Sequence, residues 1–350
     1  MTRPSLLEPG TRSTAPSLDA ELRFLRSAAA YPGVTGAPDC VETHMSWVFL
    51  AGDRVLKLKK PVRFPFLDFS TLDRREFYCR EELRLNARLA PGIYLGLLAL
   101  QSTASGLALV PEERLLAAAK TVDWLVLMRR LPQDRLMPRL LADTAVEPHD
   151  IDALTAVLGA FYRTAPPVDV APHEYVDRFR REQAASREVL LRPQFDLRDA
   201  ALALDRLDAA LSQRAGLLGA RASCGRVVDG HGDLRPEHVC LLEPPVVIDC
   251  LEFNAELRQV DPFDEIAFLA LECDIAGAAW IGPRLVAGLA AAIGETPPPC
   301  ILALYTAYRA LLRARLSMAH LLDPVVRTPQ RWPPLAQRYV DHALRALDRA

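Results

Sequence analysis

The first part of the chain alternates apolar and polar positions in the manner of short β-strands. Residues 41–50 are rich in β-forming residues, and the turn-forming sequence AGD separates them from residues 54–60. In the second segment a period of two places Lys57 and Lys59 on one face and two leucines on the other. The pattern predicts a β-hairpin with two lysines on the same face.

Residues 69–91, FSTLDRREFYCREELRLNARLAP, have the period of an amphipathic helix. Ser70 is the predicted N-cap, with Asp73 three residues on. Glu82 falls on the apolar face of this helix. A carboxylate within an apolar stripe is unusual, because burying a charge is costly unless the charge is paired.

Further apolar segments (IYLGLLALQ, LALV and TVDWLVLMRRL) predict strands that end at Pro132, after which the periodicity becomes mainly helical. Residues 21–30 also predict a short helix. The layout predicts an α+β fold with a small antiparallel sheet and one helix, followed by a larger helical part. The predicted boundaries are a loose tail over 1–20, a sheet lobe over 21–130, a connector near 129–132 and a helical lobe over 131–350. The predicted helices of that lobe lie near 150–163, 174–190, 198–219, 264–292 and 300–322.

One β-rich stretch, residues 227–250, interrupts the helical part. VCLL and VVID, separated by EPP, predict a hairpin that pairs Val239 with Asp249. This register brings Asp233, His238 and Asp249 to one end of the hairpin. Two carboxylates and an imidazole in one place predict a divalent-cation site or a proton-transfer site.

Composition narrows the class of protein. Among 350 residues, 42 Lys and Arg face 44 Asp and Glu, so the net charge of −2 gives no electrostatic footprint for nucleic acid or an anionic membrane. Seven scattered cysteines without a CxxC motif argue against a disulfide scaffold or a zinc ribbon. No apolar run is long enough for a signal peptide or a membrane span. We therefore expect a cytoplasmic protein with reduced thiols.

The sequence HGDL, followed by a hairpin and ID, resembles the catalytic segment of the aminoglycoside phosphotransferase-like kinases, which are relatives of the protein kinases. ETHxSWVFL, KxKKP, LDFST, EELxLNxRLAP, HGDLRPEH and IDCxEFN are closest to an uncharacterised bacterial subgroup, over about residues 40–320. The resemblance implies a two-lobed protein-kinase-like fold with the catalytic loop at 231–238. In that subgroup a P-loop kinase half often follows; no GxxxxGK[ST] occurs in this chain, which leaves open a separate P-loop kinase partner.

The resemblance implies roles for several residues of the predicted hairpin. Asp233 matches the aspartate that orients the acceptor hydroxyl and takes its proton, and Asp249 matches the aspartate that binds Mg²⁺. His238 stands where the family usually has asparagine, so it is a candidate ligand for a metal such as Mn²⁺, a phosphate contact or a packing residue. Arg235 is either a clamp for the transferring phosphate or a surface residue. His231 is expected to brace the loop rather than to bind metal.

A second group of residues matches the nucleotide-binding positions of the family. Lys57 matches the lysine that contacts the α- and β-phosphates, with Lys59 as the alternative. Glu82 matches the glutamate that pairs with this lysine, with Glu81 as the rival. Ser46, in the glycine-free turn between the first strands, is a weaker phosphate candidate. The connector Met128–Leu131 would meet the adenine through its backbone.

Polar residues on two later helices leave alternatives open. Asp264 is expected to be structural and to brace the catalytic loop from behind. Arg309, Arg313 and Arg315 recur along the helix predicted at 300–322. They either face an anionic acceptor or form a solvated helix face.

Three functions are compatible with these residues. The first is a kinase that uses ATP and Mg²⁺, or Mn²⁺, to phosphorylate a hydroxyl of an unknown small molecule. The second is a degenerate kinase fold that binds nucleotide and acts as a regulator without transfer. The third, ranked last, is a metal-dependent phosphoesterase built on His231, Asp233, His238 and Asp249.

Overall fold

The computed structural model describes residues 16–323 and 326–349, and the chain divides into two compact units. The first comprises residues up to Arg84 together with Gly92–Arg130, and the second comprises Leu85–Pro91 together with the chain from Leu131 onward. Most of the tail predicted over 1–20 lies outside the described residues. Its end already belongs to helix α1, Leu18–Leu25, which begins before the predicted 21–30.

The first unit is built on a six-stranded antiparallel sheet. In spatial order its strands are β1 Asp39–Glu42, β2 Ser46–Ala51, β3 Arg54–Lys59, β8 Lys120–Arg129, β6 Tyr94–Thr103 and β7 Gly106–Pro111. Lys57 lies opposite Val48 and Val126 in the centre of the sheet. Leu56 and Leu58, which alternate with the two lysines, pack into the unit's core on the other face, as the alternation predicts. The first unit also contains a separate two-stranded pair, β4 Arg63–Phe64 with β5 Leu67–Asp68.

Helix α2, Leu72–Asn86, is the helix predicted beside the sheet. Its cap is Thr71 and not Ser70, because the Thr71 Oγ1 accepts the Arg74 N–H at 3.3 Å. The Ser70 hydroxyl instead donates to the Asp68 carboxylate at 2.6 Å. A nearby carboxylate thus draws Ser70 away from the helix terminus, and the prediction for the cap is wrong by one residue.

The second unit is mainly helical, as predicted, but two of the predicted helices are each divided in two. The segment 198–219 breaks at Arg214, and the segment 264–292 breaks near Gly277, whose φ of 92° requires glycine. The last helix was not predicted, since its two prolines signal a break everywhere except in a first turn. The helices are α3 Met137–Ala142, α4 Pro148–Thr164, α5 Pro172–Leu190, α6 Ala200–Gln213, α7 Ala215–Ser223, α8 Ala255–Arg258, α9 Pro262–Ile275, α10 Ile281–Ile293, α11 Pro299–Ala319 and α12 Trp332–Leu347.

Two short strand pairs interrupt these helices. They are β9 Val228–Asp229 with β12 Gln259–Val260, and β10 Val239–Cys240 with β11 Val246–Val247. Val239 pairs with Val247 and not with Asp249, so the predicted register is wrong by two residues. Pro245 has no N–H to extend the ladder, and the Leu241 N–H bonds to Arg135 O at 2.9 Å. The hairpin is therefore shorter, with a wider turn.

Each unit has a buried apolar core of its own. Among the described residues, no helix combines the length and the hydrophobicity that crossing a bilayer requires.

Candidate active site

The loop that carries the HGD sequence is held by a buried glutamate of α9. Glu265 is fully buried, and its carboxylate accepts the backbone N–H of His231 at 3.0 Å and that of Gly232. The hydroxyl of Tyr162 donates to the same carboxylate at 2.6 Å. A Cβ at Gly230 would stand 2.6 Å from a Glu265 oxygen, so the close approach of loop and carboxylate requires glycine there. The loop is therefore fixed from behind by a charge with three donors.

Sequence reasoning assigned this bracing role to Asp264, and that assignment is wrong. The Asp264 carboxylate forms two hydrogen bonds with Arg309 of α11, at 2.8 and 2.6 Å. Consecutive residues of a helix point about 100° apart, so Asp264 and Glu265 meet different neighbours. Glu265 was missed because it lies in the mainly apolar segment DEIAFLALE, directly after Asp264.

His231 uses both ring nitrogens within the loop. Its Nε2 lies 2.9 Å from Ile248 O, and its Nδ1 accepts the Asp233 N–H at 3.3 Å. A carbonyl oxygen only accepts, so the proton sits on Nε2. Burial lowers the pKa of His231, which keeps the ring neutral. This geometry gives His231 a bracing role and leaves no ring nitrogen for a metal.

Asp233 is bound by the guanidinium of Arg235. The Nε and Nη2 atoms of Arg235 donate to the two carboxylate oxygens at 2.9 and 2.8 Å. Burial acts to raise the pKa of Asp233, but Arg235 and then His238 bring it below its usual value. Asp233 is therefore an oriented carboxylate that stays ionised.

His238 and Asp249 face one another beside this carboxylate. The His238 Nδ1 lies 2.7 Å from Asp233 O, so this nitrogen donates to the carbonyl and Nε2 is the ring nitrogen left to face Asp249. That Nε2 lies 3.5 Å from the Asp249 Oδ2. Asp249 has a φ of 61°, in the left-handed region where few residues other than glycine, asparagine and aspartate occur. The strain at Asp249 is typical of a functional position.

The donor set of this pair fits a divalent cation. A carboxylate suits Mg²⁺, whereas an imidazole in place of an amide oxygen suits Mn²⁺ better. Asp249 and His238 could thus hold Mn²⁺ at least as well as Mg²⁺. Both remain predicted ligands.

Asn86 and Arg88, at the end of α2 and just after it, also hold the catalytic loop. Neither residue was identified from the sequence. The Arg88 guanidinium donates to Asp229 O at 2.8 Å and to Gly230 O at 2.9 Å. The Asn86 Oδ1 accepts the Cys250 N–H at 3.0 Å, next to the predicted metal-binding residue. Both side chains belong to the segment EELxLNxRLAP of the sequence. A polar asparagine among the apolar residues at the end of this helix was the available signal for a buried hydrogen-bonding role.

In the first unit both candidate lysines contact one glutamate. The Lys57 Nζ lies 2.9 Å from Glu82 Oε1, and the Lys59 Nζ lies 2.5 Å from Glu82 Oε2. Glu81 instead pairs with Arg84 at 2.7 Å. The side chains of Lys59 and Glu82 are fully buried, whereas that of Lys57 is 17% exposed. Lys57 is therefore better placed to meet a ligand, and Lys59 to neutralise the buried carboxylate.

This difference predicts unequal destabilisation by two substitutions. Lys59→Met should destabilise the protein by about 3 kcal/mol, because it removes the buried partner of a buried charge. Lys57→Met should cost about 1 kcal/mol or less, because its ion pair is partly exposed. Urea unfolding of both variants measures the difference, and Lys120→Met, at an exposed sheet position, controls for the methionine. Equal destabilisation by both would contradict the division of roles.

The remaining nucleotide candidates lie where their segments predict. Ser46 closes the turn between β1 and β2: its backbone N–H donates to Thr43 Oγ1 at 3.0 Å, and its carbonyl accepts the Thr43 N–H at 2.9 Å. Met128 belongs to β8 in the first unit, and Leu131 begins the main part of the second. Their contacts with nucleotide stay predictions.

Comparison with known proteins gives relatives of unassigned function. No protein-family model matches the chain. Uncharacterized proteins of Mycobacterium bovis and Mycobacterium tuberculosis are 34% identical to it over 305 residues, which cover 82% of this chain. The chain spans 56% of the length of these relatives. None of these comparisons supports a separate P-loop kinase partner.

Solved structures give the fold. A choline/ethanolamine kinase family protein from Mesorhizobium loti matches with a TM-score of 0.54 at 14% identity, over 94% of this chain and 97% of that chain. A choline kinase from Cryptosporidium parvum matches with 0.57 at 10% identity, over 95% and 96%. A thermostable mutant of aminoglycoside phosphotransferase APH(4)-Ia, solved with AMP-PNP and hygromycin B, matches with 0.52 at 12% identity, over 93% and 97%. The α+β fold predicted from the sequence is confirmed, and the chain has the protein-kinase-like fold of the choline/ethanolamine kinases and aminoglycoside phosphotransferases.

Proposed function

We propose that the protein is a phosphotransferase that moves the γ-phosphoryl group of ATP to a hydroxyl of a small molecule. The observation that carries the proposal is the carboxylate of Asp233. It is ionised, oriented and fixed in a braced loop, with the Asp249–His238 pair beside it. The matched solved structures named as kinases support the same chemistry by analogy of fold.

In this proposal Asp233 acts on the acceptor. Its carboxylate orients the acceptor hydroxyl and receives its proton as the hydroxyl oxygen bonds to the γ-phosphorus. The bond from that phosphorus to the bridging oxygen breaks, and ADP leaves with the electron pair. A carboxylate of lowered pKa is a weak base, which suits a reaction in which positioning matters more than proton abstraction.

The other candidates bind the nucleotide. Asp249 and His238 would hold Mg²⁺ or Mn²⁺, which neutralises phosphate charge when bound. Lys57 would contact the α- and β-phosphates, with Lys59 and Glu82 fixing its position. Ser46 and the backbone at Met128 and Leu131 would complete the nucleotide contacts.

A binding experiment followed by a screen tests the proposal. We expect AMP-PNP to bind only with Mg²⁺ or Mn²⁺ in calorimetry, and Asp249→Asn to weaken this binding at least about tenfold. Asparagine tolerates the left-handed backbone, so the variant removes the charge and keeps the local geometry. ADP formation in a library of hydroxylated metabolites then identifies the acceptor. Nucleotide binding that needs no cation and ignores Asp249 would contradict the assignment.

A nucleotide-binding regulator is the second candidate, and one observation favours it. Arg235 occupies both oxygens of Asp233, so an acceptor hydroxyl must displace at least one hydrogen bond to reach the carboxylate. A protein that binds AMP-PNP with its cation but transfers phosphate to no acceptor would be this regulator.

A further inference from the structure

A second arginine lies on a helix that is connected, through α9, to the turn following Asp233. Arg313 is on α11, which packs against α9, and α9 packs against the turn Pro236–His238 that follows Arg235. Burial acts to lower the pKa of Arg313, but Glu272 and, more weakly, Asp233 raise it; burial and, more weakly, Arg313 act to lower the pKa of Arg235, but Asp233 raises it. Arg313 is therefore fixed to α9, the helix that also contacts the turn beginning directly after Arg235.

In the described part of the chain, only the Nε side of the Arg313 guanidinium forms hydrogen bonds with the protein. Its Nε donates to Glu272 Oε1 at 2.9 Å, and its guanidinium lies 5.6 Å from the centre of the Tyr339 ring. The Tyr339 hydroxyl in turn donates to Glu272 at 2.8 Å, which fixes the carboxylate. Among the described residues, neither terminal nitrogen of Arg313 has a hydrogen-bond partner, and its side chain is 18% exposed.

The neighbouring arginines of α11 differ from Arg313 in this respect. Arg309 is buried and uses two nitrogens on Asp264, at 2.8 and 2.6 Å. Arg315 uses both terminal nitrogens on Glu182, at 3.2 and 2.5 Å. Only Arg313, of these three, combines a fixed position with two available donors.

We propose that the phosphate acceptor carries an oxyanion group, a carboxylate or a phosphate, which the terminal nitrogens of Arg313 bind. The planar fork of a guanidinium matches either group with two parallel hydrogen bonds. This inference rests on the proposed function and names the class of acceptor as a hydroxy acid or a phosphorylated alcohol.

An anion-binding experiment tests this proposal without knowledge of the acceptor. Inorganic phosphate and acetate are titrated by NMR into the protein, with and without AMP-PNP and its cation, at constant ionic strength. We expect at least one of the two anions to bind saturably in the millimolar range, which also distinguishes phosphate from carboxylate. Arg313→Gln should weaken this binding at least about tenfold, and Arg313→Lys should weaken it less, since lysine keeps the charge but loses the fork.

Arg315→Gln is the matched control on the same helix and should leave anion binding unchanged. If Arg313→Gln fails to fold, Arg313→Gln combined with Glu272→Gln removes the buried carboxylate left without its cation. Saturable binding of neither anion, or equal binding by wild type and variant, overturns the proposal. A loss of AMP-PNP affinity relative to ADP, with anion binding unchanged, places Arg313 on the γ-phosphate and overturns it as well. Failure of AMP-PNP to bind wild type counts against the kinase function alone.

Discussion

Replacing Asp233 by asparagine is expected to lower phosphoryl transfer by about 10²–10⁴-fold, the range for losing a positioned acid or base. The affinity for AMP-PNP should change by less than about threefold. Transfer should fall because the Asp233 carboxylate, which Arg235 holds in place, is the group that would receive the proton of the acceptor. ADP formation measures the first quantity, and calorimetry the second.

Glu237→Gln is the matched control, because it removes an exposed carboxylate from the same turn. Transfer by Asp233→Asn at the wild-type rate would remove Asp233 from the mechanism.

The pH profile of phosphoryl transfer adds a second readout. Burial acts to raise the pKa of Asp233, but Arg235 and His238 outweigh it, so the wild-type carboxylate stays ionised even somewhat below its usual pKa. No acidic limb from Asp233 should therefore appear above about pH 5. In Arg235→Gln the effect of burial on the pKa of Asp233 is less opposed, so the acidic limb of the pH profile should move to higher pH.

Replacing His238 by asparagine is expected to change which cation supports nucleotide binding. The amide oxygen is a harder ligand than the imidazole nitrogen, so the affinity for AMP-PNP with Mg²⁺ relative to Mn²⁺ should rise about tenfold. Calorimetry with each cation measures the ratio and requires no acceptor.

His238→Ala separates a ligand from a packing residue. It should weaken binding with both cations, because it removes the ligand atom and also the hydrogen bond to Asp233 O. An unchanged cation ratio in His238→Asn would show that the ring does not contact the metal.

Local patterns in the sequence predicted the fold well where one physical rule dominates. Alternation placed Lys57 and Lys59 on one face of β3, and the buried stripe of α2 singled out Glu82. The convergence of Asp233, His238 and Asp249 was also predicted, although the register that led to it was wrong. Ile248 N–H bonds to His238 O, so the residues meet just beyond the shortened ladder.

The supports of the site could not be predicted in the same way. Glu265, Asn86 and Arg88 act through contacts with backbone groups far away in the chain. Periodicity reports which face of an element is buried, and it does not report which carbonyl or N–H that face meets. The same limit explains why Asp264 was chosen in place of its neighbour.

The end of helix α2 has a practical consequence for dissecting the protein. The unit boundary falls at Arg84, so Asn86 and Arg88 belong with the helical unit although three of the six sheet strands follow them in the chain. A fragment that starts at residue 131 lacks Asn86 and Arg88, and with them the hydrogen bonds that they form with residues 229, 230 and 250. Expression of the helical half alone therefore needs residues 85–91 restored, by circular permutation or as an added peptide.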